Sequence, residues 1–213
     1  MVRFAENVRR KNVIEPGKPE FGAIKGKWNI DFFPERQDIV LEIGCGHGDY
    51  TVQMGLLFPD RNFVGIDIKG SRIWRGSAKA EEENLENVGF LRIPVEQLAE
   101  HFGEGEVSEI WITFPDPRPK NRDQKRRLTS PRFLELYSQI LKPGGIIHLK
   151  TDSPGLYAYT LEIIQLHRHQ VVGQTDNLYD SPLVDRTYMI QTTYEKRFLE
   201  EGIPIKYLQL KIK

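Results

Sequence analysis

The stretch Ile112-Thr-Phe-Pro-Asp-Pro-Arg-Pro-Lys-Asn-Arg-Asp-Gln-Lys-Arg-Arg-Leu128 sets one carboxylate, Asp116, between two prolines and then turns basic. Pro115 and Pro117 fix φ and lack an N–H, so a strand entering here must end, with Asp116 held on a stiff, non-helical turn at its exit. Arg118, Lys120, Arg122, Lys125, Arg126 and Arg127 then oppose a single anion, Asp123. A carboxylate so placed can stabilise developing positive charge or take a proton, and the cations suit phosphates. A charge run standing alone is most often a solvated face.

It does not stand alone. Leu41-Glu-Ile-Gly-Cys-Gly-His-Gly-Asp-Tyr50 places Gly44, Gly46 and Gly48 between an apolar run and a helical pattern over 49–57. Glycines let backbone approach a ligand closely and supply amides at a helix start. The next apolar run ends in Asp67, where an acid can accept hydrogen bonds from ribose hydroxyls. The spacing is Gly-x-Gly-x-Gly, with Asp49 where the dinucleotide fingerprint has its last glycine, which argues against a dehydrogenase.

The elements that must position these residues follow from period and punctuation. Ile39–Ile43, Phe63–Asp67, Gly89–Ile93, Ile110–Phe114 and Ile146–Thr151 read as near-continuous apolar strands separated by helical patterns. That pattern predicts a doubly wound α/β fold, a mostly parallel Rossmann-like sheet with helices on both faces and an antiparallel strand near the C-terminus. Ser130 caps a helix with Pro131 at its first position; Phe133, Tyr137 and Leu141 form its apolar stripe, and Pro143-Gly144-Gly145 ends the segment. Ligands of such folds bind at the carboxyl ends of the strands. Residues 1–30, with seven cations against three acids and no sustained period, read as a basic, flexible arm that can follow a phosphate backbone; 31–213 read as one domain.

The chain has 213 residues, 39% hydrophobic and 28% charged, with zero formal net charge, so nucleic-acid affinity must come from charge separation. Acids gather instead at Glu81-Glu82-Glu83 and along Glu96, Glu100, Glu104, Glu106 and Glu109. One cysteine, Cys45, excludes an intramolecular disulfide, and with scattered histidines no metal site is expected. No apolar run approaches the roughly 20 residues of a membrane span and no signal peptide opens the chain, so a cytoplasmic protein is expected, with no membrane or obligate protein partner.

Glu42-Ile-Gly-Cys-Gly-His-Gly48 resembles the first motif of class I S-adenosylmethionine-dependent methyltransferases. With Phe114-Pro-Asp-Pro-x-Pro-Lys120, Lys125-Arg-Arg-Leu128, Lys150-Thr-Asp152 and Thr192-Thr-Tyr-Glu195, the chain from about Val40 to Phe198 resembles the bacterial tRNA (guanine-N7)-methyltransferases. The resemblance implies methyl transfer from S-adenosylmethionine to guanosine 46 in the tRNA variable loop. It implies cofactor contacts at Glu42, Gly44, Asp67 and Asp116, beside Gly46 and Gly48 of the same turn. Substrate contacts are implied at Lys120, Asp152, Thr192, Thr193, Tyr194 and Glu195. Arg118 stands where the family has Trp, Asn121 and Asp123 replace a basic residue and His, and Pro94 occupies the place of a cofactor-binding Asp, leaving adenine to backbone amides and apolar side chains.

Several of these residues have plainer readings. Glu42 can accept hydrogen bonds from the glycine turn, Asp67 can be a turn former, and Asp152 can cap the helix that follows Ser153-Pro154. Thr192-x-x-Glu195 before Phe198-Leu199 fits a capping box. His148 reads as a packed core residue, His167 and His169 as solvated, and Cys45 as a small packer. Guanine N7 carries an in-plane lone pair and no proton, so its methylation needs alignment and a dry pocket more than a base. The product purine is cationic, which gives Asp116 an electrostatic role as the catalytic residue, with proton abstraction as the alternative. Arg118, Arg122, Lys125, Arg126 and Arg127 suit the RNA backbone. An amino-group nucleic-acid methyltransferase and a non-catalytic RNA-binding module are the competing readings.

Overall fold

Near-continuous apolar runs become central strands, because a strand covered on both faces has no side left for water. The computed structural model describes residues 2–187 and 189–213. In chain order the elements are α1 (Val2–Arg9), β1 (Val13–Ile14), β2 (Asp38–Ile43), α2 (Asp49–Leu57), β3 (Arg61–Ile66), α3 (Gly70–Glu82), β4 (Val88–Leu91) and α4 (Leu98–His101). They continue as β5 (Val107–Thr113), α5 (Pro131–Ser138), β6 (Leu141–Thr151), α6 (Pro154–Leu166), β7 (Gln170–Thr175), α7 (Thr193–Glu200) and β8 (Lys206–Lys211). One eight-stranded sheet results, in the order β1-β4-β3-β2-β5-β6-β8-β7. Strands β1 to β6 pair in parallel, and β8 runs antiparallel to both β6 and β7.

The sheet separates two cores. On one face Leu41, Ile43, Ile110, Ile112, Ile147, Leu149 and Leu208 pack under Leu98 of α4, Phe133, Leu134 and Tyr137 of α5, and Leu156 and Ile164 of α6. On the other, Val40, Phe63, Phe90, Trp111 and Tyr207 meet Tyr50, Val52 and Met54 of α2, Ile73 and Ala80 of α3, and the C-terminal residues Leu178, Ile190 and Ile205. Among the described residues no helix is long and apolar enough to cross a membrane.

Two features differ from the sequence reading. The expected flexible arm is packed: Val13 and Ile14 add an edge strand to β4, and buried Trp28 stacks on Phe102 with ring centroids 5.0 Å apart and donates to His101 O. Three of its cations, Arg10, Lys18 and Lys25, are engaged by protein groups. Arg10 holds Trp74 O and Ser77 Oγ, while Lys18 holds Arg10 O and Val13 O. Single anchors spaced along an irregular path leave no period to read. Second, α5 ends at Ser138 and Leu141 opens β6. The register slips between Val107 and Glu109, so Lys142–Gly145 form a bulge that accommodates Pro143. Ser130 stands at the N-cap but donates to Lys125 O instead of receiving a helix amide. The acidic stretches also serve the fold: Glu106 receives the amides of Gly26, Trp28 and Gly103, and Glu109, largely covered, pairs with Arg61 at 2.6 Å.

Candidate active site

The strand order sets the exits of β3, β2, β5 and β6 side by side at one edge, carrying Asp67, the glycine turn, Asp116 and Asp152 respectively. In the glycine turn, Gly44 N and Cys45 N both donate to Ile66 O, at 2.8 and 2.9 Å, and Gly48 N returns to Cys45 O. Gly44, Gly46 and Gly48 have φ of +74°, +56° and +74°, which side chains resist. A Cβ on Gly48 would lie 2.6 Å from the Phe90 ring, whereas beside Gly44 and Gly46 nothing lies within 4 Å. The turn is thus closed toward the core and open at its rim. Asp67 borders that rim, nearly buried, accepting from Gly46 N at 3.1 Å and Lys69 N at 2.8 Å, with Arg72 Nη1 3.9 Å away. A carboxylate has about four lone-pair positions, so acceptor capacity remains for ribose hydroxyls. Open space over bare backbone beside an acceptor fits a nucleoside cofactor.

Glu42 is tied elsewhere. Its Oε2 accepts from Thr51 N at 3.0 Å and Thr51 Oγ1 at 2.5 Å, and its Oε1 from Thr113 Oγ1 at 2.7 Å. Burial pushes the carboxyl up to about 7 even though these hydrogen bonds pull it down. Its partners are the first turn of α2 and the end of β5, not the glycine amides. Glu42 therefore braces the two elements that flank the turn.

Phe114 and Arg118 take φ of +48° and +46° on either side of Pro115-Asp116-Pro117. The Asp116 side chain is 61% exposed; its Oδ1 accepts from Arg118 N at 3.1 Å and its Oδ2 lies 3.0 Å from Arg118 Nε. Arg127 differs from the expectation of an RNA contact. It is 7% exposed, its Nε and Nη2 donate to Arg118 O at 3.2 and 3.0 Å, and its guanidinium lies 4.3 Å from the Tyr159 ring centroid. Arg127 buckles the loop that presents Asp116. Lys120, Arg122, Lys125 and Arg126 remain on the surface, Arg126 being 3.7 Å from Asp123.

At the β6 exit, Asp152 is half-buried, and Ser153 rather than Asp152 caps α6 by accepting from Leu156 N. Thr192 and Glu195 form the capping box of α7, with Glu195 N donating to Thr192 Oγ1 and Thr192 N to Glu195 Oε2. Glu195 is wholly buried and bound to Lys150, so among the proposed substrate contacts its carboxylate is the one turned inward. Thr193 and Tyr194 are exposed, and Thr193 Oγ1 donates to Asp49 Oδ2 at 3.3 Å. Pro94 follows β4 and starts a short turn through Gln97 N. His148 is a core residue, stacked 3.8 Å from Trp111 with Nδ1 2.7 Å from Tyr207 Oη. Burial raises the Cys45 thiol, in keeping with a packer. Among the described residues no group of three or more His, Cys, Asp or Glu is placed to hold a metal ion. Sequence reasoning assigns no role to Lys150, Thr51 or Thr113. A lysine near the end of a strand, after the apolar Ile146, Ile147 and Leu149, is the available signal for Lys150.

Residues 36–208 match the model of a family described as putative methyltransferases. The tRNA (guanine-N(7)-)-methyltransferase of Christiangramia forsetii is 46% identical over 216 residues, covering 99% of this chain and 96% of that protein. Its counterpart in Porphyromonas gingivalis is 50% identical over 186 residues, covering 87% and 75%. Among solved structures, the 16S rRNA methyltransferase KamB matches with a TM-score of 0.67 over 94% of this chain and 95% of its own. At 17% identity that likeness speaks to the fold alone.

Proposed function

The chain belongs to the tRNA (guanine-N7)-methyltransferase family, and from that premise we propose that its target is guanosine 46 of the variable loop and that the strand-exit edge is where the base is methylated. The enzyme uses S-adenosylmethionine to methylate guanine N7 in tRNA. The observation that carries the site is the placement of Asp116, on a proline-fixed turn at the β5 exit, beside the open glycine turn of β2 and ahead of a basic surface. When bound, the cofactor supplies an electrophilic methyl group. Asp67 and the rim of Gly44 and Gly46 would hold its ribose and backbone-facing atoms.

What remains for the protein is alignment and charge. N7 attacks without losing a proton, so no base need act on it. The purine becomes cationic, and the Asp116 carboxylate offsets that charge, with Asp152 at the neighbouring exit orienting the base edge. Arg118 pairs with Asp116 at a largely exposed position, where ion pairs are weak, so a phosphate can draw it away. Lys120, Arg122, Lys125 and Arg126 then follow the RNA backbone, and action on tRNA is in keeping with a cytoplasmic protein.

The deciding experiment incubates the protein with mixed tRNA and labelled S-adenosylmethionine and maps the modified nucleotide. Label at N7 of guanosine 46 is expected. Label on an exocyclic amine would replace this reading with the amino-group one, and cofactor binding with no transfer would leave a binding module.

A further inference from the structure

Lys150 has no exposed surface at all, although it carries an ammonium at the carboxyl end of β6, between parallel β5 and antiparallel β8. Alternation along β6 turns Lys150 and His148 to the face of Tyr207 and Trp111, while Leu149 joins the opposite core. Its Nζ lies 2.9 Å from Ile190 O and 2.8 Å from each oxygen of Glu195, and 5.3 Å from the Tyr50 ring centroid. An ammonium has three N–H donors, and three acceptors surround this one. Glu195 in turn receives Tyr179 Oη at 2.9 Å and Thr192 N at 3.4 Å. Ile190 precedes, and Glu195 follows, the stretch Gln191–Tyr194.

Resting on the functional reading above, we propose that Lys150 is a positioning residue for the tRNA: its ammonium clamps Ile190 and Glu195 so that Thr192–Tyr194 are presented to the target nucleotide. Glu195 acts through this clamp and does not touch the substrate. Burial pushes the Lys150 pKa down while Glu195 raises it, as for an ammonium that has exchanged water for a single counter-charge. A well-packed apolar pair would hold the fold as well as a buried ion pair does. What the ion pair adds is direction, since it fixes two points of the backbone relative to the strand that also carries Asp152.

The test compares the parent with Lys150→Met and with Lys150→Met/Glu195→Gln, which removes both charges at nearly constant volume. The single variant leaves a buried carboxylate unpaired and should melt well below the parent. The double variant should regain a Tm within about 3 °C of the parent, and its calorimetric Kd for S-adenosylmethionine should stay within about threefold, yet its KM for tRNA should rise about thirtyfold. A double variant with the parent's tRNA KM overturns the proposal, because a merely structural staple would be repaired together with the Tm. Should these variants not fold, Tyr179→Phe decides: a tRNA KM raised about threefold supports the clamp and an unchanged one overturns it. Hydrogen exchange without RNA gives a readout independent of turnover. In whichever variant folds, the Thr192 and Glu195 amides should exchange about tenfold faster while those of β2 do not, and unchanged exchange overturns the clamp. A parent that failed to methylate guanine N7 would sink the functional reading, while exchange would still judge the clamp.

Discussion

The two faces of the central sheet are built from the same strands by alternation, yet they differ in kind. Toward α5 and α6, Ile39, Leu41, Ile43, Ile110, Ile112, Ile147, Leu149, Leu208 and Leu210 carry nothing that titrates. Toward α2 and the C-terminal segment, the same strands present Glu42, Thr113, His148, Lys150, Tyr207 and Gln209, buried and hydrogen-bonded, and the largely covered Glu109. Arg61 and Glu109, His148 and Tyr207, then Lys150 and Glu195 link that face in steps toward the strand exits. An apolar layer supplies free energy without direction, whereas hydrogen bonds fix atoms relative to one another. One face therefore holds the sheet and the other fixes the strand exits where the proposed site lies.

The severest way to break this contrast is a cavity on the apolar side. Leu149→Ala should lower stability by about 2–5 kcal/mol while leaving methylation per folded molecule unchanged. Urea titration with a single-turnover assay checks it, and a matching loss of rate would erase the distinction between the faces.

A second contrast is pH. The Glu42 carboxyl is raised from 4.5 to about 7, so its contribution to stability is full below 4.5 and is lost as pH rises through 7, a change on the order of 3 kcal/mol. Glu109 runs the other way. Burial raises its pKa, but His148 and Arg61 outweigh that and hold it at about 2, so its contribution stands above 4.5 and is lost as pH falls toward 2. Denaturation of the parent and Glu42→Gln between pH 4.5 and 8 should show a slope in the parent that the variant lacks. Equal slopes would remove Glu42 from the account.

Above the sheet, Asp116→Asn keeps the shape and removes the charge. Its single-turnover rate at saturating cofactor and tRNA should fall about tenfold to a thousandfold, or roughly 1.4–4 kcal/mol in barrier, with Tm unchanged. A near-normal rate would pass the electrostatic role to Asp152. The smallest effect per residue belongs to the surface. Replacing Arg122, Lys125 and Arg126 with Ala should flatten the log–log salt dependence of tRNA binding by about two units, at about 0.7–0.9 for each phosphate no longer neutralised. Arg127→Ala should instead cost stability, since that side chain is inside.

The apolar face was legible from sequence because runs such as Ile39–Ile43 and Ile110–Phe114 declare burial, and Pro, Gly and Asp mark the strand exits. The glycine turn and α2 follow from local chemistry alone. The polar face was not legible. Glu42 meets Thr113 across 71 residues and Lys150 meets Glu195 across 45, and periodicity shows which way a side chain points without showing what it meets. The same limit hid the anchoring of residues 2–30 and made buried Arg127 look like its surface neighbours. Half-exposed β7, with Gln, Val and Gly in one short edge strand, also lacks a pattern of its own.

The place of β8 bears on the order in which the molecule can be assembled. It lies between β6 and β7, although it is made after both. During synthesis β7 leaves the ribosome with no neighbour to accept its hydrogen bonds, and β6 has one bare edge until residues 206–211 arrive. Parallel β1 to β6 can form early, but insertion of the late strand is a non-local step and so a slow one. The segment between β7 and β8, which carries the proposed substrate contacts, is thus completed last, and a nascent chain halted before Lys206 should show β7 amides exchanging as freely as an unfolded strand.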